Sequence, residues 1–125
     1  MLCSSFQHPF YPFSGAETAS DHILNLPLPE GTHGQLWRKQ IEDKWLEKMR
    51  DFKPQLLFFS AGFDGYKNDE LAHFCLVEED YFWLTEQVLQ VTEESAHRRV
   101  ISVLEGGYNL EGLGPCVVAH LRAML

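Results

Sequence analysis

Two side chains in this sequence have both the chemistry and the setting for catalysis: the carboxylate of Asp64 and the phenol of Tyr108. Asp64 follows Pro54-Gln-Leu-Leu-Phe-Phe-Ser-Ala-Gly-Phe, and Tyr108 follows Arg99-Val-Ile-Ser-Val-Leu-Glu-Gly-Gly. A carboxylate is a hard oxygen ligand or a base, and a phenol donates a hydrogen bond that can polarise a carbonyl. Runs of about 4–8 apolar residues bounded by turn residues read as strands buried on both faces, the appearance of parallel strands. In open α/β sheets ligands sit beyond the carboxyl ends of such strands, so both groups are expected at one rim. Each also has a plainer reading by itself: Asp64 as a turn cap and Tyr108 as a packed rim tyrosine.

The elements that would hold these residues follow from periodicity. Residues 1–20 are rich in aromatics, Ser and Pro without a period, and are expected to form an irregular arm packed on the rest of the chain. His22–Leu28 reads as a strand stopping near Pro27. Thr32 and Gln35 form a capping-box pattern opening a helix that runs to about Arg50. Trp37, Ile41, Trp45 and Met49 would be its buried stripe, with Arg38 and Lys39 mostly facing water. A strand over Gln55–Ser60, a loop over Gly62–Phe74 and a helix opened by Glu78, Glu79 and Asp80 come next. That helix should bury Tyr81, Leu84, Val88 and Val91 and close on His97, Arg98 and Arg99. Val100–Leu104 is the third strand, and Gly114-Pro115 starts a last helix lined by Val117, Leu121 and Met124. The order β-α-β-α-β-α implies parallel strands joined by right-handed crossovers. Three strands make a small sheet, either minimal or without its neighbours, and the second is expected because two of the strands read as buried on both faces.

At 125 residues the chain reads as a single domain over 1–125. The formal charge of −8 argues against a basic face for nucleic acid or anionic membrane. Cys3, Cys75 and Cys116 form no C-x-x-C pair and read as reduced packing residues of a cytoplasmic protein. No run of about 18 apolar residues suggests a membrane span.

Ser60-Ala-Gly-Phe-Asp64, Asp69-Glu-Leu71, Val77-Glu-Glu-Asp-Tyr-Phe82 and Leu104-Glu-Gly-Gly-Tyr-Asn-Leu110 together resemble the zinc-dependent histone deacetylase and acetylpolyamine amidohydrolase family, in its class II-like form. Tyr11-Pro12 and Asn25–Thr32 extend the resemblance over nearly the whole chain. It implies a three-layer α-β-α, mainly parallel, arginase/deacetylase-like fold, of which this chain looks like the C-terminal part. Position by position, it implies Asp64 as a zinc ligand and Tyr108 as the hydroxyl that binds the acetyl carbonyl. Gly106 and Gly107 would lie beside an acetyl-lysine tunnel, with Leu71 and Tyr11 lining it. The implied substrate is an acetylated lysine or polyamine.

Some positions depart from that pattern. None of His8, His22, His33, His73, His97 and His120 forms the family's Asp-x-His or His-His pair, so only one zinc ligand is recognisable, and His8 and His73 read as solvent or turn histidines. Phe13 stands where the family often has Gly after Tyr-Pro, and Val77 where it often has Thr. The chain is therefore expected to be inactive alone, its partner being the missing N-terminal deacetylase segment or another chain. The alternative is a non-catalytic remnant acting as an interaction module through an open sheet edge. A different metal hydrolase of arginase architecture is a weaker reading, because no Asp cluster surrounds Asp64.

Overall fold

The structure is a computed structural model that describes residues 1–18 and 20–125. The opening arm is the first correction to the sequence reading. Leu2–Gln7 is a strand, β1, and pairs in parallel with β2, Ile23–Leu28, from Leu2 opposite Ile23 to Gln7 opposite Leu28. Ala19, within the expected arm, lies outside the described residues. β1 is half polar (Leu-Cys-Ser-Ser-Phe-Gln), so its strand character comes from the β2 ladder rather than from its own pattern. The two strands are linked by a loop in which the Asn25 side-chain amide donates to the Gly15 carbonyl at 2.9 Å.

The long helix forms as α1 (Gly34–Ile41), a π-helical turn (Glu42–Leu46) and α2 (Glu47–Phe52). Trp37, Ile41 and Trp45 are buried as expected and Met49 is half-buried. A strict spacing of four drifts about 40° around a straight α-helix at each step, and the wider π turn takes up part of that drift. The Trp45 indole N–H donates to the Leu24 carbonyl at 3.0 Å and that of Trp37 to Ser5 Oγ at 3.0 Å, fixing the helix on β1 and β2. The capping box does not form. Thr32 is buried and donates to the Pro29 carbonyl at 2.7 Å, and His33 occupies the cap position without a side-chain bond. Arg38 is only partly solvated, since its Nε meets buried Asp80 at 2.7 Å.

β3 (Leu57–Ala61) pairs in parallel with β4 (Val100–Leu104), Leu57 opposite Val100. Between them run α3 (Glu78–Val91) and the single turn α4 (Glu93–Ala96). Asp80 supports the start of α3 by accepting the Val77 N–H at 2.9 Å. α3 buries Tyr81, Val88 and Leu89 together with Thr85, while Leu84 and Val91 are half-buried. It stops at Thr92, whose hydroxyl donates to the Val88 carbonyl at 2.7 Å. His97 and Arg98 lie beyond that stop in left-handed conformations, φ 50° and 59°, so they do not close α3.

α5 (Leu110–Met124) starts four residues earlier than Gly114, capped by Asn109 Oδ1, which accepts the Gly112 N–H at 2.7 Å. Pro115 lies inside it, and its buried line is Gly112, Cys116 and His120 rather than Val117, Leu121 and Met124. The reason is a polar core contact. His120 Nδ1 meets Thr85 Oγ1 at 2.7 Å and Nε2 meets Ser102 Oγ at 2.8 Å. Thr85 spends its proton on the Tyr81 carbonyl, so the bonding assigns His120 the Nδ1–H tautomer, with Ser102 donating to Nε2.

The strands thus form two separate parallel pairs, β1–β2 and β3–β4. Phe59 and Ser102 of the second pair face His120 on α5, but the opposite face carries exposed Phe58 (66%), Ile101 and Val103. Burial of these strands on both faces, expected from their unbroken apolar pattern, is not found, because no described element lies over that side. Among the described residues no helix is long and apolar enough to cross a membrane.

Candidate active site

Both candidate residues stand where their strands end. After Ala61 the chain turns at Gly62, whose N–H donates to the Ser60 carbonyl at 3.1 Å, and after Leu104 the Glu105 N–H donates back to the Ala61 carbonyl at 3.0 Å. The Phe63 N–H then donates to the Gly106 carbonyl at 2.8 Å, so the loops after β3 and β4 run together. Phe63 anchors them. It is buried, with its ring 5.0 Å from that of Tyr81 and 6.0 Å from that of His120.

Asp64 is half-buried beside this junction. A Cβ on Gly62 would come 2.9 Å from its Oδ1, and one on Gly106 would come 3.0 Å from its Cγ. Glycine at both places is what lets the carboxylate lie against the backbone. Gly107 has φ 137°, a conformation that favours glycine, and a Cβ there would meet Leu113 and Phe63. Burial pushes the Asp64 pKa upward, and the nearby charges of Asp69 and Glu105 push the same way, against one backbone hydrogen bond.

Asp64, Gly106 and the half-exposed Tyr108 line one cavity of about 900 Å3. Gly107, Leu71 and Tyr11 are not among its lining residues. Leu71 and Tyr11 lie out in solvent, Tyr11 at 80% exposure. Phe13, two residues on, has φ 59°, the backbone region that glycine adopts without cost.

The residue that the sequence reading missed is Asp69. Its Oδ1 accepts the N–H groups of Leu71 (2.9 Å) and Ala72 (3.3 Å), and its Oδ2 accepts those of Tyr108 (2.7 Å) and Asn109 (3.3 Å). One carboxylate therefore ties the loop after β3 to the backbone that carries the phenol. The local half of this clamp, an Asp bonding to amides two and three residues on, is a turn signal visible in sequence. The half spanning 39 residues has no local signature.

The cavity's donor set does not amount to a metal centre. Among the described residues no group of three or more His, Cys, Asp or Glu side chains could hold an ion. A catalytic zinc takes about three protein ligands, and among the described residues no such set gathers around Asp64. His73 is exposed, faces the Gln7 amide and packs edge-on to Phe10.

Comparison with known proteins defines the class of fold. The structure covers 98% of its length on the crystal structure of the HDA15 HD domain, with a TM-score of 0.86 and 25% identity, and takes in 36% of that chain. It also superposes on an acetylpolyamine aminohydrolase from Burkholderia pseudomallei at a TM-score of 0.80 and 23% identity, again over 98% of this chain and 36% of the other. The fold is the arginase/deacetylase type, present in part.

Residues 1–124 match the histone deacetylase domain, and the chain belongs to the histone deacetylase family. Type-2 histone deacetylase 2 of Dictyostelium discoideum is 38% identical over an alignment of 128 positions that covers 93% of this chain and 8% of that protein. An uncharacterised protein of Synechocystis is 37% identical, over 98% of this chain and 40% of its own length. A probable deacetylase of Archaeoglobus fulgidus is 29% identical, over 92% and 34%. The chain thus spans well under half of each of these relatives.

Proposed function

We propose that this chain forms the C-terminal part of a deacetylase domain that hydrolyses the amide of an acetylated lysine or polyamine, and that the rest of the domain completes its site. Asp64 would then give one carboxylate to a zinc ion whose other ligands lie outside this chain. Since the present residues do not hold that ion, the chain's own contribution is the rim. The Tyr108 hydroxyl would donate to the acetyl carbonyl oxygen, a bond that strengthens as negative charge develops there during hydrolysis. Asp69 acts as a positioning residue by holding the Tyr108 backbone, and Gly62 and Gly106 admit the Asp64 carboxylate. The observation that carries this reading is the lining of one cavity by Asp64 and Tyr108 from the ends of paired parallel strands.

The test uses a protein in which the remaining deacetylase domain is supplied. Tyr108→Phe should lower kcat on an acetyl-lysine peptide by about 100-fold or more while leaving the metal content unchanged. Turnover within twofold of the unaltered protein would remove Tyr108 from the mechanism. The lone carboxylate favours one second reading, a non-catalytic module that binds other proteins. Acetyl-amide hydrolysis by the completed protein decides against that reading, and its absence decides for it. Zinc bound by the isolated chain at micromolar affinity would contradict the incomplete site.

A further inference from the structure

His120 is a buried imidazole that the proposed chemistry does not use, and it touches the elements that hold the rim. From α5 its ring meets Thr85 of α3 and Ser102 of β4, and it packs edge-on to Phe59 of β3 at 5.2 Å and to Phe63, the residue before Asp64, at 6.0 Å. As the Nδ1–H tautomer it donates to Thr85 Oγ1 and accepts from the Ser102 hydroxyl, so the neutral ring leaves neither nitrogen unpaired. Two routes join it to Phe63. One is the direct ring contact. The other runs through Thr85, which donates to the Tyr81 carbonyl, and then through the Tyr81 ring, 5.0 Å from that of Phe63. Phe63 in turn supports both loops. Its N–H donates to the Gly106 carbonyl at 2.8 Å, and a Cβ on Gly107 would come 3.2 Å from its own Cβ.

A second proton, on Nε2, would upset this arrangement. Ser102 would have to turn its hydroxyl round and accept, and the charge would meet no counter-charge. The groups that face the ring are Thr85 and the neutral phenol of Tyr81 from α3, Ser102 from β4, Phe59 from β3 and Phe63 from the loop. One turn back on α5 is the buried Cys116 thiol, which burial pushes up to about 12. Asp64 and Glu105 border the same cavity as His120, yet burial sets the direction of the imidazole pKa, downward from 6.5. We propose that His120 is a positioning residue for the rim and holds Phe63 in place only while its ring is neutral, so that proton uptake loosens the loops of Asp64 and Tyr108 while α1, β1 and β2 stay closed. The charged ring has a way to water, because it borders the cavity of about 900 Å3. The sign follows from burial. The closed state holds the ring neutral, so it is favoured above pH 6.5 and loses ground as the pH falls below it. An opening that exposes the ring restores its ordinary 6.5, and the equilibrium for that opening should rise about tenfold from pH 7.5 to 5.5. The consequence for catalysis rests on the deacetylase reading, whereas the coupling of His120 to the loops does not.

The experiment is amide hydrogen exchange on the full 125-residue chain at pH 7.5 and 5.5, each rate divided by that of an unstructured peptide at the same pH. The Phe63 and Glu105 amides, which bond Gly106 and Ala61, should lose protection by about tenfold on acidification. The amide of Ile41, fully buried in α1, should change by less than about twofold. In His120→Gln, whose side chain stays neutral, the pH step should vanish. Nitrogen NMR of the unaltered protein gives a check that needs no variant: the folded ring should keep its Nδ1–H tautomer down to pH 5.5. Four outcomes would overturn the proposal: flat protection at Phe63, an equal loss at Ile41, a step that survives in His120→Gln, or a folded ring that titrates at its ordinary 6.5. Loosening at Phe63 without acetyl-amide hydrolysis by the completed protein would leave the coupling standing and sink the deacetylase reading. Turnover with flat protection at Phe63 would do the reverse.

Discussion

Removing the carboxylate of Asp69 should loosen the phenol's backbone more than it damages the fold. Hydrogen bonds to a charged acceptor contribute about 1.5–3 kcal/mol when shielded from water. Asp69 is only half-buried, so its two short bonds, 2.7 Å to Tyr108 and 2.9 Å to Leu71, are taken at about 1 kcal/mol each, and the pair at 3.3 Å adds little. Asp69→Ala should therefore cost about 2 kcal/mol, or about 6–10 °C in Tm for a chain of this size. Asp69→Asn is the sharper perturbation. Its carbonyl can keep the Leu71 and Ala72 amides, but its amino group then faces the N–H groups of Tyr108 and Asn109, donor against donor. It should cost about 1–2 kcal/mol, with faster exchange at Tyr108 and Asn109 and unchanged exchange at Leu71. Urea unfolding gives the first quantity and amide exchange the second. A stability change under about 0.5 kcal/mol for the Ala variant, or equal loosening of both loops by Asn, would refute the idea of one carboxylate clamping two loops.

Phe13→Gly should stabilise the chain by about 1 kcal/mol, because it relieves a bulky residue held at φ 59°; an unchanged or lower Tm would show that the Phe13 ring contributes more than its backbone strain costs. Stability should also fall as the medium is acidified through the histidine range. Burial lowers the His120 pKa from its ordinary 6.5, so the folded state holds the neutral ring while the unfolded chain takes up a proton. The His120 contribution is thus fully present above pH 6.5 and is lost as pH falls below it, with a slope no steeper than about 1.4 kcal/mol per pH unit. Urea midpoints measured from pH 7.5 to 5.5 should show this decline, and His120→Gln should flatten it; an equal slope in the variant would assign the effect to other groups.

What could be read from the sequence was what local pattern determines. β3 and β4 carry unbroken apolar runs, and α3 opens with three acids, so these elements formed with small shifts of boundary. β1 escaped because Ser4, Ser5 and Gln7 dilute its apolar content, and only the ladder to β2 makes it a strand. The start of α5 was misplaced because Gly114-Pro115 looks like a helix opening, whereas the Asn109 side chain already caps the helix. Arg38 looked solvated because its partner Asp80 is 42 residues away. The same holds at the site. Asp64 and Tyr108 announced themselves by following strands, but Asp69 joins them through contacts that no spacing rule records. Leu71 and Tyr11 came with the family resemblance, and both lie on the open surface.

The uncovered side of the β3–β4 pair has a consequence for the chain's life in a cell. Phe58, Ile101 and Val103 place three large apolar side chains next to one another on paired strands, with no helix above them among the described residues. Such a surface attracts chaperones and proteases and promotes clumping for as long as it stays bare. Abundance of this polypeptide would then track the supply of whatever covers it, and production in isolation would favour inclusion bodies over soluble material.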